Sequence, residues 1–499
     1  MVLSDEKKCP RSYGINEGEN ARSNFEPAEP PSWQFWKRRR YVVATMAFFG
    51  FFNVYTLRVN LSIAVVAMTQ NRFETLENGT KISLGPEFEW SNELQGYILS
   101  SFFYGYMATQ LLGGYLSAKL GGKIIFVGGV TVTALLTVIT PWLAYTHVYL
   151  LIGVRIIEGI FEGVTYPCIH AIWARWAPPL ERSRLATIAF SGSYAGTVVG
   201  MPACAYLANA FGWPSIFYFW GIVALIWCAL WMTIVANSPE EDKKISKREL
   251  DYILGSMENS SNKKVDIPWR QILCSAPVWA IVISHFSENW GFYTMLTQLP
   301  KYLKDIHDYD LGKSGFLSGL PYLVMAIMMQ WAGQWADWFR VKGILTTTQV
   351  RKIFNCTGFV TQTIFMMGAA FWSDRIGTVF CLSLAVGLGA FAWAGFSVNH
   401  LDIAPQYASI IMGIGNTFAT LPGIISPILS GYIVSKPPEI HEWQTVFYIS
   451  AGIYLVGAIL YGSMASGELQ PWAMVPNEEN NKEKLGFENK TFNSQDEDL

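Results

Sequence analysis

Twelve apolar runs constrain this chain before anything else, because each is long enough to cross a bilayer as a helix of about 20 residues. They fall at 41–69, 91–118, 124–143, 148–176, 184–209 and 214–236, then, after a polar stretch at 237–274, at 275–304, 314–338, 350–372, 377–398, 405–434 and 443–466. Only 15% of the 499 residues are charged and 51% are hydrophobic, whereas a soluble domain carries about 25% charged residues. The expected fold is therefore an all-α membrane protein of about twelve transmembrane helices in two six-helix pseudo-repeats. The expected organisation is a disordered cytoplasmic tail at 1–40, a six-helix half at 41–236, a cytoplasmic central loop at 237–274, a second half at 275–466 and a disordered tail at 467–499.

Basic residues orient the chain. Lys37, Arg38, Arg39 and Arg40 precede the first run, and Lys119, Lys123, Arg175, Arg182, Arg340, Lys342 and Arg351 fall in alternate loops, while the intervening loops are poor in Lys and Arg. Positive charge stays on the cytoplasmic side, so both termini are expected there. On that topology the 70–90 loop faces outward, and Asn78-Gly79-Thr80 is a usable glycosylation sequon.

The fourth run carries Arg155, Glu158, Glu162 and His170 within apolar sequence. A charge there costs roughly 2.5–3.5 kcal/mol on insertion scales. At about 100° per residue, Arg155, Glu158 and Glu162 at i, i+3 and i+7 share one helix face. That face must look into a bundle or a water-accessible cavity, where a carboxylate beside a fixed cation can exchange a proton. A static ion pair that orients helices is the competing reading. Two carboxylates against one arginine leave a surplus unless a second cation balances it.

Other chemistry is disfavoured. The net charge of −2 provides no basic footprint for nucleic acid. The seven cysteines are scattered, with neither a disulfide framework nor metal-ligand spacing. No nucleophile–base arrangement or phosphate-cradling loop stands out, so neither an enzyme, a metal nor a cofactor is expected. An internal repeat links Gly114–Lys123 with Gly333–Arg340, each placing a close-packing glycine before loop charges; Asp337 and Arg340 in the second copy are candidate gating charges.

These repeats resemble the loop motif of the major facilitator superfamily. Within it, Arg58-Val59-Asn60-Leu61-Ser62, Ser101-Phe102-Phe103-Tyr104-Gly105-Tyr106, Glu162-Gly163-Val164-Thr165-Tyr166-Pro167, Asn399-His400-Leu401-Asp402-Ile403-Ala404-Pro405 and Gly415-Asn416-Thr417 look like the anion–cation symporter family over about residues 40–466. The resemblance implies that Arg58 holds the substrate's anionic group, a task suited to the planar guanidinium fork. It implies matching family positions for Arg155, Glu158, Glu162 and His170, with His170 equally readable as an interhelical hydrogen-bonding group. Two departures stand out from the vesicular glutamate transporters of that family: Leu99 takes the place of a histidine, and Glu288 the place of an arginine. The reversed charge argues against glutamate as substrate. Glu288 could balance Arg58, hold a proton or coordinate Na+.

The mechanism this implies is symport by alternating access, an anion docking on Arg58 with help from Arg155 while Glu158 and Glu162 carry a proton. Tyr104, Asn289 and Tyr293 are expected to shape the pocket. The carboxylate pair favours H+ as coupling ion and an organic acid such as sialate as substrate. A Na+-dependent phosphate cotransporter uses the same scaffold, and a channel or a non-transporting receptor remains open on the same fold. The expected partners are a small anion, a coupling cation and the lipid bilayer, for a monomer in the plasma membrane or a lysosomal or vesicular membrane.

Overall fold

The computed structural model describes residues 37–75, 81–178, 181–258, 267–372, 374–434 and 438–474. Asn78 and the outer parts of both tails lie outside the described residues. The first set of helices comprises α1 (Arg39–Thr69), α2 (Asn92–Leu120), α3 (Gly122–Thr146), α4 (Val148–Glu162), α5 (Thr165–Trp176), α6 (Arg182–Phe211) and α7 (Pro214–Ile234). After α8 (Lys247–Glu258) and α9 (Trp269–Leu273) comes a second set: α10 (Ala276–Asp305), α11 (Leu311–Val341), α12 (Thr347–Phe371), α13 (Arg375–Gly387), α14 (Gly389–Phe396), α15 (Asn399–Ile403), α16 (Ala408–Ile433) and α17 (Ile440–Met464). Taking α4 with α5 and α13 through α15 as single rods gives twelve rods, one per apolar run.

Eight rods among the described residues are long and apolar enough to span a membrane on their own. Of the rest, α4 is short, and α2, α6 and α10 are less apolar. The buried charges do not follow this division: Arg58 lies on α1, one of the eight, while Arg155, Glu158 and Glu162 lie on α4 and Glu288 on α10. Between α1 and α2, strands β1 (Asn71–Thr75) and β2 (Lys81–Pro86) pair antiparallel, with a register shift between Arg72 and Phe73. The bundle therefore has a hairpin face, and an opposite terminal face where α1 begins and α17 ends.

The fourth run is interrupted at Gly163–Val164, between α4 and α5. Pro167 has no N–H to return to the Gly163 carbonyl, which loosens that turn. Glycine also sets how closely α4 meets α2. A Cβ at Gly105 would strike the Ile156 carbonyl and lie 2.7 Å from Ile160 N; one at Gly159 would strike the Phe102 carbonyl and lie 2.8 Å from Tyr106 N. The two backbones touch, which brings residues 102 and 106 against 155–162.

The polar central stretch is structured where described. Arg39 Nε meets Asp242 Oδ2 at 2.7 Å, Arg40 Nε meets Glu181 Oε2 at 2.8 Å, and Arg40 Nη1 meets Glu249 Oε1 at 3.1 Å. The basic cluster that orients the chain thus also ties α8 to the start of α1.

The two sets meet through α2 on α16 and α6 on α11. Near the hairpin face Asn92 Nδ2 donates to the Val434 carbonyl at 2.7 Å, Lys301 Nζ donates to Asn92 Oδ1 at 2.7 Å, and the Tyr97 and Tyr432 hydroxyls lie 2.8 Å apart. Deeper, Asn416 Nδ2 donates to Gln110 Oε1. His170, further toward the terminal face, is exposed.

Candidate substrate and coupling site

Arg58 of α1 and Glu162 of α4 are 6% and 1% exposed. They form an ion pair, with Arg58 Nε donating to Glu162 Oε1 at 2.9 Å. One turn back along α4, Arg155 Nη1 lies 2.6 Å from Glu158 Oε2, and Glu158 Oε1 accepts a hydrogen bond from Thr137 Oγ1 of α3 at 3.0 Å. The surplus carboxylate on α4 is thus balanced by an arginine from another helix: two acids meet two guanidiniums.

Aromatic rings join the pairs. The Arg58 guanidinium sits 4.8 Å from the Tyr55 ring centre, 5.0 Å from Phe102 and 4.6 Å from Tyr106. Arg155 lies 5.5 Å from the same Phe102 ring. Desolvated cation–π contacts of this kind contribute about 2 kcal/mol each. The pairs are not saturated: Arg58 Nη1, Arg155 Nε and Glu162 Oε2 are buried with no hydrogen-bond partner among the described residues. Nη1 is a charged donor of the kind that a carboxylate or phosphate oxygen satisfies, and Oε2 can take a proton.

Other expected site residues fall in several places. Tyr293 of α10 is buried, with its ring 4.6 Å from Phe103 and Arg58 within electrostatic range, so it faces the pair from the second set. Asn289 is buried too, but its Nδ2 donates to the Ala419 carbonyl at 2.9 Å, tying α10 to α16 beside Pro422. Glu288 does not balance Arg58; it meets Gln362 of α12. Tyr104 is 43% exposed in a surface cleft with Tyr97, Tyr149 and Ile152, away from the charged pairs, so the pocket role expected of it is withdrawn. His170 lies past the helix break, 5.6 Å from the Phe190 ring. Asp337 and Arg340 are 3.8 Å apart on the exposed end of α11, a surface pair of a kind that contributes little to stability.

The residues missed were Tyr55, Phe102, Tyr106 and Thr137. Phe102 and Tyr106 stand at i and i+4 and share a helix face, while Tyr104 points about 200° from Phe102. A helical wheel on Ser101–Tyr106 separates them.

Twelve rods enclosing opposed, partly unsatisfied charges are an architecture that membrane transporters share, and comparison with known proteins places this chain among them. The major facilitator superfamily model matches residues 43–427. The chain is 44% identical to human sialin over 450 residues, covering 87% of this chain and 91% of that protein. It is 42% identical to human vesicular glutamate transporter 2 over 455 residues, covering 90% of this chain and 77% of that one. Among solved structures, a bacterial homologue of the human lysosomal transporter Spinster in an inward-facing conformation superposes with TM-score 0.64 at 12% identity, covering 87% of this chain and 99% of its own. The xylose transporter of E. coli in an inward-open conformation gives TM-score 0.64 at 15% identity, with 86% and 96% covered. The chain belongs to the major facilitator superfamily and, within it, to the anion–cation symporter family of sialin and the vesicular glutamate transporters.

Proposed function

We propose that this protein is a secondary active symporter that carries an organic anion, of the acidic-sugar class, together with H+. The observation that carries the reading is the Arg58–Glu162 pair with Arg58 Nη1 and Glu162 Oε2 left over. With Glu162 ionised, the guanidinium is held by its own helix bundle. With Glu162 protonated, Arg58 is released to the substrate's anionic group. Protonation and anion binding then favour each other. Arg155–Glu158 repeats the arrangement one turn away, with Thr137 steadying the acid. Tyr293 and the rings around Arg58 give the non-ionic part of an acidic sugar stacking surfaces. The similarity to sialin supports this substrate class. The basic loops favour a cytoplasmic terminal face, and the relatives favour a lysosomal or vesicular membrane. Asp337 and Arg340 remain candidate gating charges.

The test is uptake into proteoliposomes of labelled sialate, glucuronate and phosphate, with pH and Na+ gradients imposed separately, for wild type and Glu162→Gln. The reading requires organic-anion uptake that saturates, accumulates against its gradient when the donor side is acidic, needs no Na+, and loses its pH drive in the variant. Phosphate uptake that requires Na+ and survives the substitution overturns it. Flux without saturation indicates a channel, and binding without flux a receptor.

A further inference from the structure

The second set of helices holds a carboxylate that this mechanism does not use. We propose that Glu288 of α10 is a second proton-binding site, built separately from the two arginine pairs. It extends the coupling reading above but stands on its own geometry. Glu288 is 1% exposed and, among the described residues, forms no ion pair. Its Oε1 accepts from Gln362 Nε2 at 3.5 Å, the outer limit of a hydrogen bond. Three buried oxygens have no partner among the described residues: Glu288 Oε2, Gln362 Oε1 and the Tyr454 hydroxyl.

The backbone makes room for this group. A Cβ at Gly389 of α14 would strike Glu288 Oε1 and lie 2.7 Å from Gln362 Nε2, and one at Gly291 would strike the Tyr454 hydroxyl. Ser287 closes the side toward α17, where a Cβ at Gly457 would lie 2.7 Å from its hydroxyl. The facing titratable groups are tyrosines, Tyr454 of α17 and Tyr194 of α6. His285, one turn back on α10, turns instead to Trp393 and Phe396. An ionised carboxylate here would be buried without a countercharge, which costs several kcal/mol. A proton on Oε2 removes the charge and turns one acceptor into a donor, and Gln362, already in contact through its Nε2, carries an Oε1, unpartnered among the described residues, as the acceptor that answers this change. Ca2+ gathers about six to eight oxygens and Mg2+ about six, and the four side-chain oxygens here, both of Glu288, Gln362 Oε1 and the Tyr454 hydroxyl, fall short of that.

The test is infrared difference spectroscopy of the full-length protein in liposomes, titrated from acid to alkaline pH, for wild type, Glu288→Gln and Gln362→Leu. The expected result is a protonated-carboxyl C=O band in wild type that vanishes on alkaline titration and is missing from Glu288→Gln. In Gln362→Leu the same band titrates at higher pH, because the donor to the ionised form is gone. Spectra of wild type and Glu288→Gln that coincide in this region at every pH overturn the proposal. So does a titration unmoved in Gln362→Leu, which keeps the test decisive if Glu288→Gln fails to fold, and so does a band abolished by Na+ at fixed pH. No transport is measured, so an intact Glu288 band alongside failed organic-anion uptake indicts only the functional reading.

Discussion

Glu162 and Glu288 are both carboxylates at mid-bundle, each 1% exposed, yet their surroundings are opposite. Glu162 is paired with Arg58 inside a shell of rings, with the Arg155–Glu158 pair adjoining. Glu288 has an amide and a phenol for company and, among the described residues, no cation. The difference teaches that a buried acid's role follows from what other helices bring to it. Until an anion takes its place, the first must stay charged for Arg58 to remain compensated; the second is comfortable only when neutral.

Removing the charge should therefore have unequal costs. Glu162→Ala strands the Arg58 guanidinium, and loss of one member of a buried pair costs about 3–5 kcal/mol; Glu288→Gln keeps shape and neutrality and should cost less than about 1 kcal/mol. Thermal unfolding in detergent measures both, and equal losses would erase the contrast. The next largest effect concerns the close contact that assembles the first site. Gly159→Val pushes α4 off the Phe102 carbonyl, costs about 1–3 kcal/mol as overpacking does, and should weaken anion binding while leaving the Glu288 infrared band in place. A narrower perturbation is Phe102→Leu, which removes a ring shared by two guanidiniums. Losing the Arg58 contact alone removes about 2 kcal/mol of cation–π attraction at the anion site and should raise the KM for uptake by more than tenfold with little change in expression. The smallest effect is expected of Tyr104→Ala. Its side chain faces the outer cleft, so stability should move by no more than about 0.5 kcal/mol and KM should not change. A large KM effect there would return Tyr104 to the pocket.

The rods were legible because long apolar runs have one common solution in a bilayer, and each run is matched by a rod. The break at Gly163–Val164 was less legible: Pro167 announced a distortion, but its place was set by the frayed turn before it. Arg58, Arg155, Glu158 and Glu162 could be picked out because charge in apolar sequence is costly enough to need a reason. Their pairing could not be read. Shared helical periodicity groups Arg155 with both glutamates, and only the approach of α1 assigns Glu162 to Arg58. Gln362 and Tyr454 gave no warning, since neutral polar residues are common in such helices and acquire meaning only when α12 and α17 carry them to Glu288. Tyr104 illustrates the converse error, a polar aromatic chosen from a motif without regard to the face it occupies.

The most direct test of the account is the number of protons taken up when the anion binds. Calorimetric titration of the purified protein with sialate, in buffers of different ionisation enthalpy at one pH, yields that number for wild type and Glu162→Gln. The account predicts net proton uptake on binding to wild type, and a smaller uptake in the variant, where Arg58 is already released and the anion still binds. Anion binding with equal proton uptake in both proteins, or with none in wild type, would contradict the exchange of a proton for an anion at Arg58.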